Sequence, residues 1–496
     1  MRKDTRLYNV FRNIQYGLIS QALAIIFSFI NRTLFIKVLG TNYLGINGLF
    51  TDVLTMLSLA DLGLSTAMVY SFYKPLAEKN YEKLSSLTFF YKKIYEYIAV
   101  IVIVIGIALI PFLKYIVNLD SNIPYLKVYY LLFVFNTAAS YLYIYKSSII
   151  SADQKNYIIS IYQSISKMII LLLQCVILII FKRYFLYLIL QIVGTLLNNI
   201  LVSRKADKLY PRIIKNGPRL NSNEKKDIFE NIKSVFLYKA SSVLLNGTDN
   251  TILSILVGTV WVGLYSNYTM VINGLNSVTS IIFNSTVASI GNIVVTESEK
   301  KRREVFNKIQ LLSLTITTIT TVCLYILFND FIGVWVGRKY ILNNIILLSI
   351  ITNYYLAGVL QPIWIYRQAT GIYKQTKYIM LICAIVNIVL SVFMGIHWGM
   401  SGIFFASALS RLLTYFWYEP KVLFESYLGR RGEKVFFIQI LFNIILVIIS
   451  TYIINMFVGA IVVNDFKTLV LKGIVVGIFS SLISLIVYGR KLLKFR

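Results

Sequence analysis

Long apolar stretches recur along almost the whole chain, from Ile14 to Tyr488, and short polar segments separate them. An α-helix needs about 20 apolar residues to cross the hydrocarbon core of a bilayer. The pattern predicts about fourteen membrane-spanning helices and hence an all-α integral membrane protein. The predicted spans are 14–38, 46–73, 94–113, 128–145, 157–181, 184–203, 234–256, 263–295, 309–328, 341–366, 378–396, 402–418, 435–457 and 468–489.

The composition excludes an ordinary soluble domain, because 57% of the residues are hydrophobic and only 14% are charged. The first apolar run is too long for a cleavable signal peptide and leads into a second span, so no such peptide is expected. The three cysteines lie in apolar runs, and the single histidine, His397, cannot form a metal site alone. The sequence has no Walker motif and no long outer loop that could hold a catalytic domain. We therefore expect neither a cofactor nor enzymatic activity.

The basic charge follows the predicted topology. The net charge is +28, and most of the 49 Lys and Arg residues fall in the loops on one side of the membrane. By the positive-inside rule that side is the cytoplasm, and both termini lie there. The charge is mainly an orientation signal, with some attraction to anionic head groups. Binding to nucleic acid is the weaker interpretation and is not expected.

The chain divides into two similar halves. A shift that aligns Phe11 with Phe229 also aligns Gly45 with Gly263, and the turn positions stay in register. An even number of spans separates the repeats, which predicts a parallel repeat of two lobes around a central cavity. The predicted parts are an N-terminal lobe (1–203, helices 1–6), a basic cytoplasmic linker (204–233, with a short amphipathic helix from Ser222), a C-terminal lobe (234–425, helices 7–12) and two additional helices (426–496).

Basic residues within the predicted spans are the strongest sign of function. A charge in the bilayer core is costly, so it normally faces a bundle interior or a water-filled cavity. Arg32, Lys167 and Arg411 lie deepest, and we expect them to form a cationic cavity that binds an anionic substrate. Lys239 lies near an inner end, where a cavity position and snorkelling to the interface are equally open. Two further cations lie near outer ends and are expected to snorkel: Lys37 and Lys472.

Polar residues extend this cationic face along the first span. Gln21, Ser28 and Arg32 lie on one helix face, because their separations are multiples of about one helical turn. The aligned residues of the seventh span are also polar: Lys239, Asn246 and Asn250, with Asp249 beside them. We expect these helices to form the cavity walls.

The second and eighth spans carry another matched stripe. Four polar residues of the second span (Thr51, Thr55, Ser58 and Asp61) align with Thr269, Asn273, Asn276 and Thr279 of the eighth. A single Ser, Thr or Asn in a membrane helix more often joins helices by hydrogen bonds. A stripe that includes Arg32 and Asp61 favours a cavity instead, because isolated charge against lipid is costly.

Deep carboxylates are fewer than deep cations. Asp61 and Asp249 lie within spans, and Asp52 lies nearer the outer surface. Each can pair with a cation such as Arg32, which lowers the cost of burying both charges. Each can also carry a coupling ion, either a proton or sodium. The sequence favours pairing slightly, and ion coupling stays open.

The N-terminal region resembles a known transporter family. The segments LGTNYLGINGLF (39–50) and LADLGLSTAMV (59–69) are similar to those of Wzx-type polysaccharide flippases, members of the multidrug/oligosaccharidyl-lipid/polysaccharide exporter superfamily. The similarity in pattern, with fourteen helices, two lobes and short loops, extends over the whole chain. It does not single out a substrate.

The resemblance implies a flippase that moves an undecaprenyl-diphosphate-linked oligosaccharide from the inner to the outer leaflet by alternating access, for capsule or exopolysaccharide assembly. Its implied location is the bacterial plasma membrane. Its implied partners are the polyprenyl-diphosphate-linked glycan, membrane lipid, a coupling ion, and polysaccharide polymerase and assembly proteins. The cavity cations would bind the diphosphate or acidic sugars through charge-assisted hydrogen bonds.

Other functions stay open at this point. A drug or cation antiporter of the same superfamily should have an acidic cavity, whereas here the deep cations outnumber the deep carboxylates. A flippase for a peptidoglycan precursor would show the same charge pattern. A membrane-embedded polymerase or glycosyltransferase would be expected to show a large outer loop or an acidic catalytic cluster, and the sequence has neither.

Overall fold

The computed structural model describes residues 3–57, 64, 68, 71–72, 75–76, 78–119, 123–153, 155–213, 220–284 and 286–489. The side chains of some helical residues, Gln21 and Asn246 among them, lie outside this description. Every regular element in the described part of the chain is helical, which confirms the predicted fold class. The chain forms two compact units, Met1–Gly263 and Leu264–Arg496.

Unit 1 consists of eight α-helices in the described residues, together with the first turn of a ninth. The helices are α1 (Lys3–Leu57), α2 (Tyr81–Ala108), α3 (Leu113–Ile116), α4 (Leu126–Tyr141), α5 (Ile144–Ala152), α6 (Asn156–Ile180), α7 (Tyr184–Leu209), α8 (Ser222–Leu256) and α9 (Thr259–Asn284). A 3₁₀ turn at Ile110–Phe112 precedes α3.

Unit 2 contains the remainder of α9 and seven further α-helices in its described part. They are α10 (Val287–Thr296), α11 (Glu299–Trp335), α12 (Asn344–Thr370), α13 (Tyr373–Leu413), α14 (Tyr415–Leu423), α15 (Arg431–Val458) and α16 (Phe466–Ser484). A 3₁₀ turn occupies Arg338–Tyr340, and π-helical turns at Phe424–Leu428 and Leu485–Gly489 extend α14 and α16.

Two long helices are broken at glycines. Gly40 in α1 has φ 83°, and Gly399 in α13 has φ 58°. Positive φ strains residues that carry a Cβ atom, whereas glycine adopts it readily. The two breaks fall between predicted spans, 14–38 and 46–73 in α1 and 378–396 and 402–418 in α13. The apolar pattern therefore located both helix breaks.

Helix length and hydropathy in the described residues give fewer spans than the fourteen that the sequence pattern predicts. Eight helices of the described residues are long and apolar enough to cross a membrane, or up to nine if the bent pair α4 and α5 forms one span. The bend between these two helices measures 42°. The total of fourteen spans stays a prediction.

The region predicted as a basic linker is partly helical. Helix α7 continues to Leu209, and a helix begins at Ser222 as predicted. That helix is not short, because it runs without a break to Leu256 and includes the predicted seventh span. The proposed lobe boundaries at 203 and 234 therefore lie inside continuous helices.

Polar residues fix several helix starts. The Asn80 side chain accepts a hydrogen bond from the Lys83 amide at 2.9 Å at the start of α2. Asp465 and Thr468 form a reciprocal capping box at the start of α16. Such side chains satisfy amides that have no partner within the first helical turn.

Tyrosines form much of the core of unit 1. Tyr91, Tyr95 and Tyr130 are among its largest fully buried side chains. Large exposed apolar residues line the outer helix faces, as α6 illustrates with Ile165, Ile169, Leu172 and Val176. Their spacing places them on one stripe, as expected for a face in contact with lipid.

Candidate functional site

Arg32 lies in unit 1 beside a network that joins α1, α6 and α7. The neighbouring Asn31 side chain is buried, and its Oδ1 accepts a hydrogen bond from the Tyr187 hydroxyl at 3.0 Å. Its amide nitrogen lies 3.7 Å from the Cys175 sulfur. Arg32 itself is half-buried and lies within electrostatic range of Tyr187. The network therefore fixes the part of α1 that carries the predicted cation.

Aromatic side chains surround this network. The Tyr184 hydroxyl donates a hydrogen bond to Asn47 Oδ1 at 3.2 Å, on the second segment of α1. The Phe35 ring meets the Tyr184 and Tyr187 rings edge-on, with centroids 5.7 and 5.1 Å apart. Sequence reasoning missed Asn31, Tyr184 and Tyr187. Asn31 points to a different face from Arg32, and the tyrosines resembled ordinary interfacial anchors.

Lys167 lies on α6 close to the level of Arg32. Asn31 approaches the Leu171 carbonyl oxygen at 3.5 Å, and Lys167 lies one helical turn before Leu171. Lys167 is exposed, and no described residue forms an ion pair with it. It is two residues from Ile165 and Ile169, which places it on the opposite side of α6 from the lipid-facing stripe.

The other predicted residues of unit 1 have mixed environments. Ser28 is half-buried on α1, and Lys239 and Asp249 are half-buried on α8. Asn250 donates a hydrogen bond from its side-chain amide to the Asp52 carboxylate. Four predicted residues are outside the described part: Ser58 and Asp61 entirely, and Gln21 and Asn246 in their side chains.

In unit 2, Asn273 and Asn276 of α9 are both exposed. Asn276 contributes to the lining of a cavity of about 240 Å³, together with Gln361 and Trp364 of α12. Asn273 is not part of that lining. The predicted polar stripe of the eighth span therefore reaches a cavity through Asn276 and its neighbour Thr279.

Arg411 lies near the C-terminal end of α13, among buried charges that sequence reasoning missed. Arg367 Nη1 contacts both carboxylate oxygens of Glu419, at 2.8 and 2.7 Å. Both side chains are buried, with 9% and 1% of their surfaces exposed. The Tyr415 hydroxyl lies within electrostatic range of Arg411, Arg367 and Glu419. Arg411 thus shares its surroundings with a buried carboxylate.

Lys472 does not reach the interface as expected. Its ammonium group lies 2.7 Å from the Asp330 carboxylate, and only 9% of its side chain is exposed. Lys37, by contrast, is exposed, and its snorkelling to the interface stays a prediction.

Unit 1 contains a cavity of about 340 Å³, which lies among α2, α5 and α7. Its lining includes the ion pair between Lys146 and Asp207, whose charged atoms are 2.7 Å apart. Tyr210 also lines it and donates a hydrogen bond to Asp153 at 2.8 Å. The pKa of the Tyr210 hydroxyl is raised above its usual value, mainly because the hydroxyl is buried and secondly because of this hydrogen bond.

Among the described residues, no group of three or more His, Cys, Asp or Glu side chains could hold a metal ion. The described charged side chains within the predicted spans are instead cations, members of ion pairs, or a carboxylate that is hydrogen-bonded to an amide. This arrangement suits the binding of an anionic substrate better than metal chemistry.

Comparisons with known protein structures identify the fold. No protein-family model matches the chain, and no curated protein sequence matches it. The structure of the lipid II flippase MurJ in an inward closed conformation aligns with a TM-score of 0.67 and 17% identity, covering 96% of this chain and 99% of that one.

Multidrug transporters align in a similar way. An inward-facing MATE family transporter of the MOP superfamily gives a TM-score of 0.61 at 12% identity, covering 88% of this chain and 98% of that one. The MATE transporter DinF-BH, solved in complex with R6G, gives 0.56 at 14% identity, with 86% and 96% covered. The chain therefore has the fold that the lipid II flippase MurJ and these MATE transporters share.

Proposed function

We propose that the protein is a flippase that moves a polyprenyl-diphosphate-linked oligosaccharide from the inner to the outer leaflet of the plasma membrane. It would act by alternating access and serve capsule or exopolysaccharide assembly, with both termini in the cytoplasm. The fold supports a transporter of the MOP superfamily, and the resemblance of residues 39–50 and 59–69 to Wzx-type flippases supports this substrate class.

The observation that carries the proposal is the position of Lys167. Lys167 is an exposed residue on the side of α6 that faces away from the lipid stripe, and it forms no ion pair with a described residue. A charge at this depth requires water or an anionic partner. A diphosphate provides several acceptor oxygens for charge-assisted hydrogen bonds. Arg32, on the adjacent helix α1, is the second proposed diphosphate ligand.

The remaining predicted residues take supporting roles in this proposal. Lys239 and Arg411 add positive charge, and polar side chains such as Ser28 and Asn250 line the route. Asp61 and Asp249 are the candidates for coupling to a proton or sodium ion. A polysaccharide polymerase and assembly proteins would receive the glycan at the outer leaflet.

Lipid II is the second candidate substrate, because the MurJ structure aligns over almost the whole of both chains. Lipid II also joins a polyprenyl chain to sugars through a diphosphate, so Lys167 and Arg32 would bind the same group. An organic cation is a weaker candidate. The MATE alignments favour it, but an exposed lysine would repel a cationic drug.

The decisive experiment uses purified protein in lipid vesicles with a fluorescent, short-chain polyprenyl-diphosphate oligosaccharide. A membrane-impermeant quencher reports the label that reaches the outer leaflet. We expect flipping that depends on the protein. In Lys167→Ala the flipping rate should fall about ten- to a hundredfold, because this variant loses one hydrogen bond to a charged group. Lys167→Arg should retain most of the activity, and Lys37→Ala is the matched control because Lys37 is also an exposed cation.

The alternatives give different results in the same vesicles. Flipping of lipid II without flipping of other glycans would assign the protein to peptidoglycan precursors. Export of an organic cation without any flipping would overturn the proposal in favour of an antiporter. Equal flipping by wild type, Lys167→Ala and Lys37→Ala would remove Lys167 from the substrate route.

A further inference from the structure

Unit 2 contains a cavity whose lining combines apolar side chains with uncharged hydrogen-bonding groups. Its volume is about 240 Å³, and its walls come from α9, α11 and α12. Asn276, Gln361 and Trp364 contribute amide and indole groups, and Ser313 and Thr317 contribute hydroxyls. No Lys, Arg, Asp, Glu or His occurs in the lining formed by the described residues.

A glycine sets the distance between two of the walls. The Ser313 hydroxyl of α11 donates a hydrogen bond to the Gly358 carbonyl of α12 at 2.7 Å. A Cβ atom on Gly358 would lie 3.2 Å from Thr317 Cβ and closer still to the Thr317 hydroxyl oxygen. The two helices therefore meet tightly at Gly358, with the polar cavity beside this contact.

The hydrogen-bonding groups of the lining fall into two classes. Several hydroxyls already donate to backbone carbonyls, for example Thr279 to Leu275 at 3.0 Å and Ser280 to Ser277 at 2.9 Å. By contrast, the side-chain amides of Asn276 and Gln361 and the Trp364 indole N–H form no hydrogen bond with a described residue. The cavity thus offers free donors and acceptors from amides, and acceptor lone pairs from hydroxyls.

This chemistry disfavours an oxyanion or an ammonium group as the ligand. A phosphate, a uronate or an ammonium group would lose its hydration here without meeting an opposite charge, and that loss costs several kcal/mol. A purely apolar ligand would leave the free amides without partners. The same unit has a separate cavity of about 880 Å³ with an almost entirely apolar lining, which suits such ligands far better.

A sugar ring meets both requirements. Its hydroxyls donate and accept hydrogen bonds, and its C–H faces pack against aromatic rings, which Trp364, Tyr354 and Phe283 provide in the lining. Drug-sized ligands occupy pockets of roughly 300–1,000 Å³, so a cavity of 240 Å³ has room for about one ring.

We propose that this cavity binds one uncharged monosaccharide ring of the transported glycan. The assignment rests on the proposed flippase function, which it deepens by selecting neutral sugars at this subsite. Gln361 and Asn276 bind the hydroxyls, and Trp364 packs against the ring face.

The test measures sugar binding without transport. Saturation-transfer NMR on the purified protein in detergent uses glucose and N-acetylglucosamine as neutral probes and glucuronate as the anionic probe. We expect the neutral sugars to bind at millimolar concentration and glucuronate to bind at least about tenfold more weakly. Gln361→Met, which preserves side-chain volume, should weaken neutral-sugar binding about tenfold, as the loss of one hydrogen bond predicts. Asn276→Ala should act in the same direction.

Asn455→Ala is the matched control, because Asn455 lines the apolar cavity of the same unit. It should leave sugar binding unchanged. Equal binding of glucuronate and glucose, or unchanged binding in Gln361→Met with normal abundance, would overturn the subsite. The outcomes also separate the two proposals. If Gln361→Met weakens sugar binding but the wild type flips no glycan in vesicles, the sugar subsite stands and the flippase proposal is overturned. If the wild type flips the glycan but Gln361→Met binds sugar normally, the flippase proposal stands and the subsite is overturned.

Discussion

The Asp52 carboxylate accepts a hydrogen bond from the side-chain amide of Asn250, which joins the second segment of α1 to α8. Both residues are half-buried. No described Lys or Arg forms an ion pair with Asp52, so a neutral amide is its partner. Asn250, which is predicted to belong to a substrate stripe, therefore also joins two helices of unit 1.

We predict that Asp52→Ala destabilises the protein by about 1–3 kcal/mol, because it leaves the Asn250 amide without its acceptor. Asp52→Asn should cost less, since its side-chain oxygen can still accept the bond. Thermal unfolding in detergent of Asp52→Ala, Asn250→Ala and the double variant measures the coupling. Strict additivity of the two single effects would show that the pair makes no energetic contribution.

Close helix packing near this pair depends on Gly45. A Cβ atom at Gly45 would collide with the backbone carbonyl of Thr259, and one at Gly263 would lie 2.9 Å from the Gly45 nitrogen. We predict that Gly45→Ala lowers thermal stability by about 1–3 kcal/mol, the usual cost of overpacking. Gly477→Ala in α16 is the control, since no atom lies within 4 Å of its added Cβ. Alanine favours a helix interior there, so that variant should be neutral or slightly stabilising. Similar losses in both variants would contradict the packing argument.

The sequence pattern predicted the helices better than their contacts. The gaps between apolar runs located the breaks at Gly40 and Gly399, and turn and helix-start signals located the helix start at Ser222. These features depend on residues close in sequence, such as a glycine between two apolar runs. The pattern also aligned Gly45 with Gly263, and the structure brings these two glycines into contact within unit 1.

The partners of charged side chains could not be predicted in the same way. Lys472 pairs with Asp330, 142 positions away in the sequence, and no local pattern connects them. Arg367 follows the predicted tenth span, 341–366, but α12 continues to Thr370 and buries it against Glu419. Periodicity shows which face of a helix is polar. It does not show which helix lies opposite.

The ion pair between Arg367 and Glu419 provides a prediction about stability. Removing one partner of a buried pair leaves the other charge without compensation, which typically costs 3–5 kcal/mol. We therefore predict a loss of about 3–5 kcal/mol for Arg367→Ala in thermal unfolding. Arg430→Ala is the matched control, because Arg430 pairs with Glu425 at 2.9 Å but is 79% exposed. That exposed pair should contribute less than about 1 kcal/mol. If the two variants lose the same stability, burial does not determine the strength of these pairs.

Acid should weaken the start of α16 through Asp465. The hydrogen bond from the Thr468 backbone amide, 2.8 Å from Asp465 Oδ1, holds the pKa of this carboxyl below its usual value. A group whose folded-state pKa is lowered stabilises the protein above its unfolded-state pKa, and this contribution disappears as the pH falls through the folded-state pKa. We therefore predict that the stability advantage of wild type over Asp465→Ala is constant above about pH 5 and decreases below about pH 4. Thermal unfolding from pH 7 to pH 3 measures this stability difference.

Asp465→Asn is the control, because its side chain also accepts the hydrogen bond from the Thr468 amide but does not titrate. Its stability advantage over Asp465→Ala should therefore not change with pH. A parallel decrease for Asp465→Asn would assign the acid sensitivity to another group.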